Sequence, residues 1–80
     1  MERNEVYEQL TEIFKDVFME DDIQINDNTT ANDIDGWDSL MHITLIGAIE
    51  DEFDIKFPMK DVVAMKNVGD MVNLIMELVE

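Results

Sequence analysis

The chain contains no cysteine, which excludes a disulfide framework and any thiolate chemistry supplied by the polypeptide itself. A single proline and three glycines leave few places where regular structure must break, and no repeat or low-complexity segment is present. Bases are scarce: five Lys and Arg face twenty Asp and Glu, for a formal net charge of −15. So acidic a surface repels nucleic-acid phosphates and anionic lipid and favours basic protein surfaces. Neither a nucleic-acid nor a membrane partner is therefore expected. No apolar run is long enough to span a bilayer, and Met1 leads into a charged stretch without a signal-peptide pattern, so a cytoplasmic location is expected.

The acids are unevenly placed. Between Lys15 and Lys56 there is no base, while the interval holds twelve of the twenty acids. Such a run is commonly a solvated face. This one, however, brackets the stretch with the most distinctive chemistry, Asp35-Gly36-Trp37-Asp38-Ser39-Leu40.

Eighty residues at 46% hydrophobic and 31% charged make one small folded domain, spanning 1–80. From about Asn4 to Phe18, Val6, Leu10, Ile13, Phe14 and Val17 recur at helical spacing, with Asn4 the expected cap. Glu20 to Trp37 reads as a long polar connection without a strand, pinned to the core by Ile23, Ile25 and Ile34. Asp38 to about Phe53 is a second helix whose buried stripe is Leu45, Ile46, Ile49 and Phe53. His42 falls within that arc and reads as a satisfied core-edge histidine, since no Cys or second His completes a metal set. The opposite face carries Leu40, Met41, Thr44, Gly47, Ala48 and Asp51. Pro58 suits a first helical position. Met59 to about Met65 is then a short helix giving Val62, Val63 and Met65 to the core. Asn67 caps the last helix, with Asp70 completing a capping box and Val68, Met71, Val72, Ile75, Leu78 and Val79 as its apolar stripe. The fold class is all-α: a four-helix bundle of three longer helices and one short one, with a long loop between helices 1 and 2.

Gly36 suits the end of that loop, because it takes backbone angles closed to other residues. Asp38 is the expected N-cap of the second helix, its carboxylate accepting from first-turn N–H groups. Ser39 then occupies the first helical position, where the helix dipole favours an anion such as a phosphate ester. Taken alone, Asp38-Ser39 is also what an ordinary helix start looks like.

Catalytic readings fail on geometry. There is no Gly-rich phosphate loop, no HExxH, and nothing to supply an oxyanion site beside Ser39 and His42. Setting Gly36 at the sixth position of a calcium loop puts Ala31 at the first and His42 at the twelfth, where Asp and Glu are required. No metal site is expected.

Asp35 to Leu40, the acidic helix ending Glu50-Asp51-Glu52-Phe53, Phe57-Pro58 and the closing helix from Val68 together resemble the acyl carrier protein family over nearly the whole chain. The resemblance implies that a phosphopantetheinyl transferase attaches 4′-phosphopantetheine from coenzyme A to Ser39. It implies that the cargo hangs as a thioester on the thiol of that group, and that the protein is a carrier, not an enzyme. Acyl-loading and acyl-transferring enzymes with basic docking patches would then read Asp35, Asp38, Leu40, Met41, Thr44 and Asp51, and the carrier is expected to be a monomer. Fatty-acid-synthesis members usually carry acids two and five positions beyond the serine. Here those positions are Met41 and Thr44, and a bulky apolar position further on is Gly47. These departures point to a dedicated carrier in a specialised pathway. Trp37 replaces a residue that is often small and reads as a loop plug packed on the core. A peptidyl or aminoacyl carrier, or a helical binding module without the modification, shares the same outline.

Overall fold

The computed structural model describes residues 2–79, and its regular elements are all helical: α1 (Arg3–Phe18), a 3₁₀ turn (Ala31–Asp33), α2 (Ser39–Phe53), α3 (Met59–Ala64) and α4 (Val68–Leu78). The expected bundle of three longer helices and one short one is present. Helix α1 packs against both α2 and α4. Its stripe of Val6, Leu10, Ile13 and Phe14 meets Leu45, Ile46 and Ile49 of α2 and Val68, Met71, Val72 and Ile75 of α4. Nine of these side chains are fully buried. Burying such a side chain contributes about 1.5–3 kcal/mol each, so this layer supplies most of the drive to fold.

Several local expectations need correction. Asn4 does not cap α1; Glu2 does, in a reciprocal box in which its side chain accepts from the Glu5 N–H while the Glu2 N–H donates to Glu5 Oε1 (2.9 Å). Two carboxylates at the positive end of a helix complement its dipole, which outweighs the better intrinsic capping of Asn. Pro58 is the N-cap of α3 rather than its first residue, and its carbonyl accepts from Asp61 and Val62. Asn67 caps α4 as expected, accepting from the Asp70 N–H at 2.8 Å. The return arm differs: Asp70 Oδ2 accepts from the Lys66 N–H (3.1 Å), so the box is displaced by one residue. Val63 is 76% exposed, not core, and Ala48 is half-buried against the core instead of facing outward. Helix α3 is less than two turns long, so periodicity alone could not fix which of two adjacent valines faces inward.

The connection between α1 and α2 contains the unexpected 3₁₀ turn, capped by a Thr30–Asp33 box. It is also fastened to α4. The Val68 N–H donates to the Thr29 carbonyl (2.8 Å) and the Gly69 N–H to the Asp27 carbonyl (3.0 Å). A Cβ on Gly69 would lie 2.9 Å from that Asp27 oxygen, so this close approach requires glycine. Ile23, Ile25 and Ile34 pack half-buried on the core, as their isolation in a polar stretch suggested.

Asp27 also joins the loop to α1. Its carboxylate accepts from Arg3 Nη2 (2.7 Å) and from the Tyr7 hydroxyl, while Arg3 Nη1 reaches Asn73 Oδ1 of α4 (2.8 Å). Burial first, and then donation to Asp27, push the Tyr7 phenol up to about 12. The hydrogen bonds from Tyr7 and then Arg3 hold the Asp27 carboxyl below its usual range. The raised phenol contributes stability that is fully present below the ordinary tyrosine value near 10 and is lost as pH rises toward 12. Tyr7→Phe should therefore flatten the alkaline limb of a melting-temperature profile between about pH 10 and 12. An equally steep limb in Tyr7→Phe would show that this phenol is not linked to folding.

Candidate functional site

Helix α2 begins where the sequence suggested. Asp38 has extended backbone angles, and its Oδ1 accepts from the Met41 N–H at 2.9 Å. Its carbonyl accepts from the His42 N–H at 2.8 Å. Gly36 reaches Asp38 through a turn at φ +86°, in the left-handed region, with the Trp37 N–H closing it onto the Ile34 carbonyl. Ser39 follows as the first helical residue and is exposed. It is the only serine in the chain.

Trp37 anchors this corner. Its ring meets Phe14 edge-on with centroids 5.3 Å apart, and lies 6.0 Å from Phe18 and 5.9 Å from the near-parallel ring of His42. The expected loop plug is thus built from α1 aromatics on one side and α2 on the other. Trp37 Nε1 donates to His42 Nδ1 at 3.1 Å. An indole nitrogen only donates, so Nδ1 holds the lone pair and the hydrogen sits on Nε2. Nε2 in turn donates to the Val62 carbonyl of α3 at 3.3 Å. Among the described residues this is the only hydrogen bond between α2 and α3. His42 is the satisfied core-edge histidine that the sequence indicated, and its two hydrogen bonds tie the short helix down.

Between α2 and α3 lies a cleft of about 520 Å³, whose lining includes Ser39, Trp37, His42, Ile43, Val63 and Lys66. Of this lining Val63 is 76% exposed and Ile43 55%; Leu40, next to Ser39 in the chain but outside the lining, is 76% exposed. Sequence reasoning named Leu40 but missed Ile43, which sits at the edge of the buried arc, and placed Val63 inside. Of the other proposed contact residues, Asp35, Asp38, Thr44 and Asp51 are exposed while Met41 is half-buried. Gly47 is exposed, with nothing near the position of a Cβ, so no contact within the chain demands glycine there.

Residues 8–75 match the family described as the phosphopantetheine attachment site. The chain is 37% identical over 70 residues to the acyl carrier protein of Clostridium acetobutylicum, covering 88% of this chain and 91% of that one. It belongs to the acyl carrier protein family. Against the acyl carrier protein of Clostridium perfringens it is 35% identical over 75 residues, or 94% and 99% of the two chains. The fold is similar to the solution structure of the holo acyl carrier protein of Geobacter metallireducens, with a TM-score of 0.85 and 43% identity over 90% of this chain and 83% of that one. The function is that of an acyl carrier, and the prosthetic group is 4′-phosphopantetheine.

The first turn of α2 offers unpaired donors. Among the described residues, neither the Ser39 nor the Leu40 amide has an acceptor, and α2 carries no acid in its first turn. An anionic phosphodiester can accept from those amides at the positive end of the helix.

The carrier's α3 should depend on His42. Replacing it with Leu leaves the Trp37 N–H and the Val62 carbonyl without partners, at a cost of about 1–3 kcal/mol. Amide exchange across α3 should accelerate in His42→Leu while exchange in the centres of α1 and α4 follows only the global change. Unaltered protection of α3 would show that packing of Val62 alone holds it.

Proposed function

We propose that Ser39 bears the 4′-phosphopantetheine group. The observation that carries this reading is the serine's place: exposed, first in α2, behind the Asp38 cap, and lining the cleft between α2 and α3. When attached, the group supplies a terminal thiol that the cysteine-free polypeptide lacks, and the acyl cargo is carried there as a thioester. The chain's own contribution is position. Ser39 Oγ must lose its proton as its bond to phosphorus forms and the pyrophosphate linkage of coenzyme A breaks, the adenosine bisphosphate half leaving. His42 cannot take that proton, since its lone pair already accepts from Trp37. The base therefore belongs to a separate transferase, and the carrier is not itself an enzyme.

The same reading extends to partners. Residues 1–80 form a single carrier domain that acts as a cytoplasmic monomer. It is loaded and unloaded by enzymes with basic docking patches that approach Asp35, Asp38, Leu40, Thr44 and Asp51. Half-buried Met41 offers less surface than the sequence suggested, and Ile43 and Val63 extend the apolar part of the contact. Apolar burial contributes about 25 cal/mol per Å² and is not screened by salt, whereas acids at the rim act mainly on the rate of encounter. A carrier read this way suits dedicated enzymes of a specialised pathway.

Two experiments test these points. Incubation with coenzyme A and a broad-specificity phosphopantetheinyl transferase should add one group per chain, and Ser39→Ala should abolish the addition while leaving the helical spectrum intact; modification of the Ala variant at any threonine would sink the assignment. Leu40→Asp should lower the efficiency of that reaction about ten-fold or more, the loss persisting at high salt. A loss that disappears when salt is added would mean charge, rather than apolar contact, governs docking.

A further inference from the structure

Lys66 is the only base lining the cleft beside Ser39, in a chain with just five. The turn between α3 and α4 fixes its backbone: the Lys66 N–H donates to Asp70 Oδ2, and Asn67 then caps α4. Its side chain is exposed and, among the described residues, forms no ion pair. Asp38 lines the same cleft with a negative charge. A phosphodiester on Ser39 Oγ would add a permanent negative charge to the cleft that this carboxylate and Lys66 both line. Ser39, Asp38 and Lys66 line this one cleft, and charges within ~10 Å of one another still interact at 0.1 M salt. Two unpaired amides at the start of α2 favour the anion; Asp38 and the surrounding acids oppose it.

We propose that Lys66 is the counter-charge that holds the phosphodiester borne by Ser39 against the cleft. The inference rests on Ser39 as the attachment residue. It assigns to α3–α4 a role in positioning the prosthetic group: by pairing with the phosphate, Lys66 directs the root of the arm across the cleft mouth instead of leaving it free in solvent. Arginine retains the charge and serves in its place; glutamine does not.

The test compares apo and holo forms of the wild type, Lys66→Gln, Lys66→Arg and, as a control, Lys60→Gln, an exposed base on α3 outside the cleft lining. Mass spectrometry first reports whether one group is attached at Ser39, so a failure of the attachment reading is seen separately. At low salt, conversion to the holo form should be less favourable to folding in Lys66→Gln than in wild type. The expected difference is about 1.5- to 5-fold in the folding equilibrium constant, the range for an exposed ion pair. The phosphorus-31 resonance of the phosphodiester should shift in the same variant. Lys66→Arg should restore both readouts, and salt near 1 M should remove the stability difference. Either readout unchanged by Lys66→Gln at low salt, or an equal effect of Lys60→Gln, overturns the proposal.

Discussion

The fastening of the long connection between α1 and α2 is the constraint on which the site depends. A segment of this length loses much conformational entropy on ordering, and a serine at its end would wander unless the chain were held at several points. Three fastenings do this. Asp27 and Thr29 accept backbone hydrogen bonds from the start of α4, where only glycine fits at position 69. Ile23, Ile25 and Ile34 lie on the core. Trp37 wedges between Phe14 and His42 immediately before the cap. With the chain fixed at Trp37, Asp38 enters the helix with its carboxylate already facing the Met41 amide, and Ser39 has one place to be.

What was legible in the sequence follows the range of the interactions involved. Helices α1, α2 and α4 are long enough for their apolar period to show, and Asp38 and Asn67 act on amides three residues away, so both were readable. The Trp37 plug was readable because a large aromatic in a polar loop has few other places to go. Contacts that join distant segments left no local trace: Arg3 to Asp27 and Asn73, Gly69 to Asp27, and Lys66 to the cleft. Val63 and Ile43 were misjudged or missed for a different reason. On a helix of six residues, or at the margin of a buried arc, a rotation of a few tens of degrees exchanges inside and outside.

The attachments of the four helices are unequal, and the inequality falls at the cleft that Ser39 lines. Helices α1, α2 and α4 share the buried stripe, whereas α3 contributes only Val62 to the buried core, with Met65, just beyond its end, partly buried against it. Its remaining hold is the Trp37–His42–Val62 chain of hydrogen bonds. A short helix with little buried area is the element that opens at least cost. That helix forms one wall of the cleft, and the imidazole whose tautomer Trp37 fixes is its hydrogen-bonded tie to α2.

Charge explains the remaining feature of α2. Every other helical element carries an acid in its first turn: Glu5, Asp33, Asp61 and Asp70. Acids at these positions stabilise a helix through its dipole, and in a chain with twenty of them their presence is unsurprising. Helix α2 alone has none there, with Ser39, Leu40 and Met41 following the cap. It forgoes about 0.3–1 kcal/mol that an acid would contribute. A phosphodiester on Ser39 would occupy the position electrostatically, returning that stabilisation in the modified form while a neighbouring carboxylate would have repelled it. The omission of an acid from the first turn after the cap and the exposed apolar side chains of Leu40, Ile43 and Val63 are thus two aspects of one arrangement. In the first turn of α2 no acid follows the cap, so the charge nearest the Ser39 amide is that of Asp38.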